Sequence, residues 1–167
     1  SVILLIRIIG NDLEPRHRAG QSRDNLRFIL ENEPPLPGCR KRFLLNRIVD
    51  GAEEARLAAL LAEHGQTPIR LPFDPAAYRR AGWDTARIPA GLLTGKALAK
   101  LEPEAVDRLW HATWARKNRA VMNNNGARNA ALAAGRAAGA GWILPWDGNC
   151  FLTAEAWAAL RAAVLAR

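Results

Sequence analysis

Cysteine is scarce in this chain. Cys39 and Cys150 are its two cysteines, far apart and matching neither a metal-ligand spacing nor a disulfide framework. The expectation is two buried thiols in a reducing compartment, the cytoplasm. Long hydrophobic runs are missing too. The longest, Val2 to Ile9, is interrupted by Arg7 and is far too short to cross a bilayer. Asn11, Asp12 and a basic loop follow it where a secretory signal would carry a small-residue cleavage site. No helix-turn-helix, zinc-finger or aromatic RNA-platform signature is present, so no specific nucleic-acid partner is expected. His17, His64 and His111 show no metal spacing.

What is present describes an ordinary globular chain. Its 167 residues, 49% hydrophobic and 24% charged, suffice for one domain with a proper core. The whole of 1–167 is therefore expected to be a single α/β domain. Lys and Arg number 24 against 16 Asp and Glu, a net charge of +8 that favours anionic partners. Phosphorylated small molecules, an acidic peripheral membrane surface and nucleic acid all meet that description, and charge does not choose among them. Ser1 stands directly before the first strand with no Met ahead of it, and the chain is expected to be a piece of a longer protein.

Hydrophobic patterning sets the order of elements. Val2 to Ile9, nearly continuous in β-branched and aliphatic residues and closed by Gly10, reads as a strand buried on both faces. A helix follows from about Ser22, its candidate cap, and Pro34-Pro35 stops it. Arg42 to Val49 reads as a second strand, which Asp50-Gly51 turns into a helix over Glu53 to Glu63. His64-Gly65 ends that helix, and Thr67 to Phe73 reads as a third strand. The alternation predicts a Rossmann-like α/β fold, a mostly parallel sheet flanked by helices. Residues 74–118 read as an elaborated crossover with one helix over Glu104 to Ala120, and Trp83, Trp110 and Trp114 are expected to pack as core, with His111 among them. Asn123 to Asn129 opens an Ala-rich helix on which Ala131, Gly135 and Gly139 recur at helical spacing, small enough to lie close on a sheet. Trp142 to Trp146 reads as the fourth strand, ended or bulged at Pro145. A last helix, Thr153 to Ala166, has a Thr cap and Glu155 in its first turn.

Parallel sheets gather ligands beyond the carboxyl ends of their strands. Polar clusters follow all four strands here: Asn11-Asp12, Asp50-Gly51, Asp74 and Asp147-Gly148-Asn149. The helix start Asn125-Gly126-Ala127-Arg128-Asn129 stands eighteen residues before Asp147, with an apolar strand leading into that aspartate. In this combination the chain resembles the glycosyltransferase A fold, particularly its inverting family of broad specificity. That family shows a G-x-x-x-A-R-N-like helix start, a small-residue helix and a strand ending in Asp-x-Asp. Order is shared over most of the chain; the motifs are confined to 123–152.

The resemblance implies a transferase that moves a sugar from a nucleoside diphosphate sugar to the hydroxyl of an acceptor it does not identify. It implies Asn125 and Arg128 at the donor, with Asn11 in a nucleotide-contacting loop. Asp12 and Asp50 are candidates for base and ribose contacts by position. Asp147 is the implied ligand for Mg2+ or Mn2+, with Asn149 a neutral ligand where the family has its second aspartate. Arg128 brings charge, and its helix N-terminus brings free N–H groups. The reading requires Arg128 and Asp147 to lie side by side beyond the strand tips. The family's catalytic base lies after the Asp-x-Asp strand, and no residue here is a candidate for it. Arg7 inside a buried strand needs a partner, for which one of the edge aspartates is the candidate. The loop Pro15-Arg16-His17-Arg18 and Arg116-Lys117-Asn118-Arg119 carry much of the basic surplus as solvated charge. Two other readings stay open: a related nucleotidyl- or sugar-phosphate transferase on the same sheet edge, and a non-catalytic basic binding module.

Overall fold

The computed structural model describes residues 2–13, 17–86, 88, 90–93 and 95–166, so Pro15 and Arg16 of the basic loop lie outside the described residues. The chain divides into two compact units, Ser1–Phe73 with Asn123–Arg167, and Asp74–Met122.

The first unit is built on β1 (Ile3–Ile9), buried on both faces as its unbroken apolar run requires. β2 (Cys39–Asn46) and β4 (Trp142–Asp147) pair with β1 on either side, and β3 (Ile69–Leu71) pairs with β2. All these pairings are parallel, in the order β3-β2-β1-β4. Ile8 stands opposite both Leu44 and Asp147, so Asp147 ends β4 level with the end of β1. The α/β class and the parallel sheet are those expected from the element order.

Odd and even residues of β1 face opposite layers. On one side Ile9, Phe43 and Leu45 pack against Leu26 of α1 (Gln21–Asn32) and Leu57, Leu60 and Leu61 of α2 (Gly51–Glu63). Ile3 and Leu5 on that side meet Leu36, Leu152 and Trp157 of α7 (Ala154–Leu165). On the other side Leu4, Ile6 and Leu44 meet Ala127 and Ala131 of α6 (Asn124–Ala137). Each such aliphatic side chain contributes about 1.5–3 kcal/mol by leaving water.

Several local expectations change. β2 lies three residues earlier than the apolar pattern suggested, because Arg47 takes a left-handed φ of 49° that no strand continues through. β3 keeps only its central residues. β4 runs through Pro145, which pairs opposite Ile6 in an edge strand, where a missing N–H is tolerated. Gly139 follows the end of α6 with a φ of +65°, and a Cβ there would meet nothing within 4 Å, so the small face is Ala127, Ala131 and Gly135. A Cβ at Gly135 would stand 2.6–2.8 Å from three atoms of Ile143. Ser22 does not cap α1, whose N-cap is Gly20. Cys39 and Cys150 are free but half-buried rather than buried, and burial pushes the Cys39 thiol above its ordinary value. Thr153 caps α7 as expected, accepting from Ala156 N–H. Glu155 is held below the usual carboxylate range by its own backbone N–H and the Thr153 hydroxyl.

The second unit carries α3 (Pro75–Arg80), a 3-10 turn (Ala90–Leu93), α4 (Gly95–Leu98) and α5 (Pro103–Met122). Asp74 caps α3 through the N–H groups of Ala76 and Ala77. Lys117 of α5 is buried and donates to the carbonyls of Tyr78 (2.6 Å) and Arg79 (3.2 Å), where a cation complements the end of a helix. Arg116 and Arg119 approach Asp84 at 3.8 and 3.9 Å, so part of this basic segment is paired. The tryptophans are not a buried core: Trp83 and Trp110 stand largely exposed, as does His111, and Trp83 meets Trp114 edge-on. An indole leaves water only when neighbours surround it, and Trp110 lies on a face of α5 left open to water. Among the described residues no helix is long and apolar enough to cross a membrane.

Candidate functional site

The carboxyl edge of the sheet in the first unit holds most of the polar residues singled out above. Gly148 fixes how close the turn after β4 sits. A Cβ there would lie 2.8 Å from the carbonyl oxygen of Ile8 and 3.2 Å from Ile9 Cγ1. Only glycine lets the Asp147–Asn149 backbone rest on the end of β1.

Arg128 and Asp147 meet. Arg128, in the second turn of α6, donates from Nη2 to Asp147 Oδ1 at 3.2 Å, with half of each side chain or more open to water. The pair thus stands where strand β4 ends and helix α6 begins, the two side chains on the same side of the edge.

The start of α6 is fixed by Asn123 and Gly126 of the expected helix start together with Asn46, which the pattern did not single out. Asn123 takes a left-handed φ of 42°, and its side-chain amide donates to Asn46 Oδ1, 3.0 Å away at the buried end of β2. The Asn123 side chain folds over Gly126, where any Cβ would collide with it. The asparagine and glycine ahead of Arg128 therefore lock the first turn of the helix to the sheet. Asn46 could have been suspected as a polar residue closing the apolar run Phe43-Leu44-Leu45.

Other candidates are engaged in structure. Asn11 donates to the Arg47 carbonyl (2.8 Å) and accepts from Val49 N–H (2.7 Å), clamping the segment that leaves β2. Asp12 Oδ1 accepts from the N–H (2.9 Å) and hydroxyl (2.6 Å) of Ser22. It supplies, from ten residues away, the cap that α1 otherwise lacks. Asp50 caps α2 through Ala52 N–H at 2.9 Å, with Arg56 3.6 Å off. Arg56 and Arg23 share Glu53 at 2.8 and 2.6 Å. Asp74 belongs to the second unit. Asn125 and Asn149 are exposed, Asn125 in the first turn of α6 and Asn149 just past Gly148, with Cys150 Sγ 3.7 Å from its side-chain oxygen.

If Asp12 serves α1 rather than a ligand, Asp12→Ala should lower stability by about 1 kcal/mol, the usual value of an N-cap. Urea denaturation measures this, and an unchanged midpoint would contradict the assignment.

The donor set for a divalent cation is small. Asp147 offers one carboxylate, already shared with Arg128, and Asn149 one amide oxygen. Among the described residues no group of three or more His, Cys, Asp or Glu side chains is gathered so as to hold a metal ion. These residues do not by themselves fit Mg2+ or Mn2+, whose octahedral shell would be filled chiefly by water and by oxygens of a ligand.

Fold and site together define a parallel α/β unit with an arginine–aspartate pair at its carboxyl edge. Comparison of the chain with known protein families, curated proteins and solved structures finds no match.

Proposed function

We propose that this chain is the donor-binding part of a glycosyltransferase, taking a nucleoside diphosphate sugar for transfer to an acceptor hydroxyl. One observation carries the reading: Arg128 and Asp147 meet at the carboxyl edge, beside the N-terminus of α6. Edges of this kind hold phosphorylated nucleotides because helix N–H groups and a basic side chain converge on one anion. The guanidinium has five N–H donors, and the structure engages one of them with Asp147. A diphosphate oxygen can take another without breaking the pair.

In the reaction the acceptor oxygen attacks the anomeric carbon, the bond from that carbon to the β-phosphate oxygen breaks, and the acceptor's hydroxyl proton passes to a base or to water. The nucleoside diphosphate leaves with the bonding electrons. Its added negative charge is what Arg128 and the α6 N-terminus would neutralise. Asp147 keeps the guanidinium aimed at the edge. No step is assigned to a metal ion, which at Asp147 and Asn149 would need the diphosphate to complete its shell.

Calorimetry of the chain with UDP and with GDP, in EDTA and in Mn2+, tests the reading. Saturable binding of one nucleotide at micromolar Kd supports it. Binding to UDP, GDP and heparin alike, weakening steeply with salt, would instead indicate a basic module that takes any polyanion.

A further inference from the structure

We infer that Arg7 and Glu33 are positioning residues for the turn that carries Asp147 and Asn149. The inference on loop order stands alone; its consequence for ligand binding rests on the function proposed above. Arg7 lies in the middle of β1 and Glu33 immediately after α1, and neither side chain is exposed. They form an ion pair, and the partner of Arg7 is thus Glu33 rather than an edge aspartate. The pair also reaches the far end of the site loop. Arg7 Nε and Nη2 both donate to the Cys150 carbonyl, at 3.2 and 3.1 Å, and Glu33 Oε1 accepts from Leu152 N–H at 3.0 Å. Lys41 of β2 closes the group at 2.7 Å from Glu33 Oε2.

The segment 148–152 has no regular structure to hold it. Gly148 rests on β1 at its near end, and the buried pair grips Cys150 and Leu152 at its far end. Asp147 and Asn149 lie at and between these anchors. The turn closes on itself through Cys150 N–H to the Asp147 carbonyl at 3.2 Å, and the contacts of β1 and of Glu33 set its height on the sheet. A structural ion pair elsewhere in the core would brace two elements; this one donates to and accepts from the backbone of the loop bearing the site.

Amide hydrogen exchange of the chain, with UDP binding measured in parallel, tests this. In the unaltered protein the Leu152 amide should exchange as slowly as amides of β1, although it lies in a loop; exchange at ordinary loop rates would overturn the inference. In Arg7→Met with Glu33→Leu, which removes both charges and both grips on the loop, the Cys150 and Leu152 amides should accelerate at least about tenfold more than Leu44 and Leu45 of β2, whose rates should change only by the global loss of stability measured in parallel, the pattern of added local opening. Acceleration of the loop amides no greater than that of the sheet would mean a general stability role and overturn the proposal. Glu33→Gln should also weaken UDP binding at a temperature where the variant is fully folded, with Arg7→Lys retaining part of it. Loss of loop protection with UDP affinity unchanged would overturn the positioning role. If the unaltered chain binds neither UDP nor GDP, the proposed function fails while the exchange result still decides the loop assignment.

Discussion

Arg7→Met is expected to destabilise the chain by about 3–5 kcal/mol, the cost of leaving one member of a buried ion pair without the other. Both side chains are fully buried, so water cannot solvate the carboxylate that remains. Lys41, itself partly exposed, compensates only in part. For a chain of this length the loss corresponds to a fall in Tm on the order of 10 °C. Arg7→Met combined with Glu33→Gln should recover more than half of it, because the second change removes the orphaned charge and keeps an acceptor for Leu152 N–H. Thermal melts of the two singles and the double measure the coupling. If the singles add with no recovery, the pair is not the unit described here.

The second large effect goes against helix propensity. Gly135 lies inside α6, where alanine is ordinarily better by about 1 kcal/mol. Its Cβ would nevertheless fall 2.6–2.8 Å from Ile143, a β-branched side chain held in strand β4. Overpacking of a closed interface costs about 1–3 kcal/mol, so Gly135→Ala should destabilise on balance. Ile143→Ala leaves a cavity on its own but should accept the new methyl, making the double variant more stable than the sum of the singles predicts. A Gly135→Ala chain more stable than its parent would show that helix and sheet are not in close contact at this point.

How much of this was readable in advance depends on the range of the interaction. The buried strand Ile3–Ile9, the cap at Thr153, the Asp50-Gly51 start of α2 and the break at His64-Gly65 are local patterns, and each is found within a residue or two of where it was expected. The lengths of β2 and β3 were not readable, because apolar residues continue past the point where Arg47 turns the backbone. Long-range pairings were equally hidden. Nothing near Asp12 announces that it caps a helix beginning nine residues later, or that Asn46 holds Asn123 from 77 residues away. Nothing in the sequence marks Glu33, just before the stop at Pro34-Pro35, as the partner of Arg7. In the candidate site, the nearness of Arg128 and Asp147 followed from a helix and strand that the motif order places side by side. Asn11 and Asp12 looked equally functional because a turn residue and a ligand-binding residue share the same chemistry.

The most direct test of the donor-site reading is the affinity of Arg128→Ala for the nucleotide that the parent chain binds, measured by calorimetry at one fixed salt concentration. Arg136→Ala, which removes an exposed charge from the last turn of the same helix, is the control. A lost charged hydrogen bond to phosphate predicts Kd at least about tenfold weaker in Arg128→Ala, and little change in Arg136→Ala. Equal, small losses in both variants would mean that only overall charge attracts the nucleotide, and would contradict a site at Arg128 and Asp147.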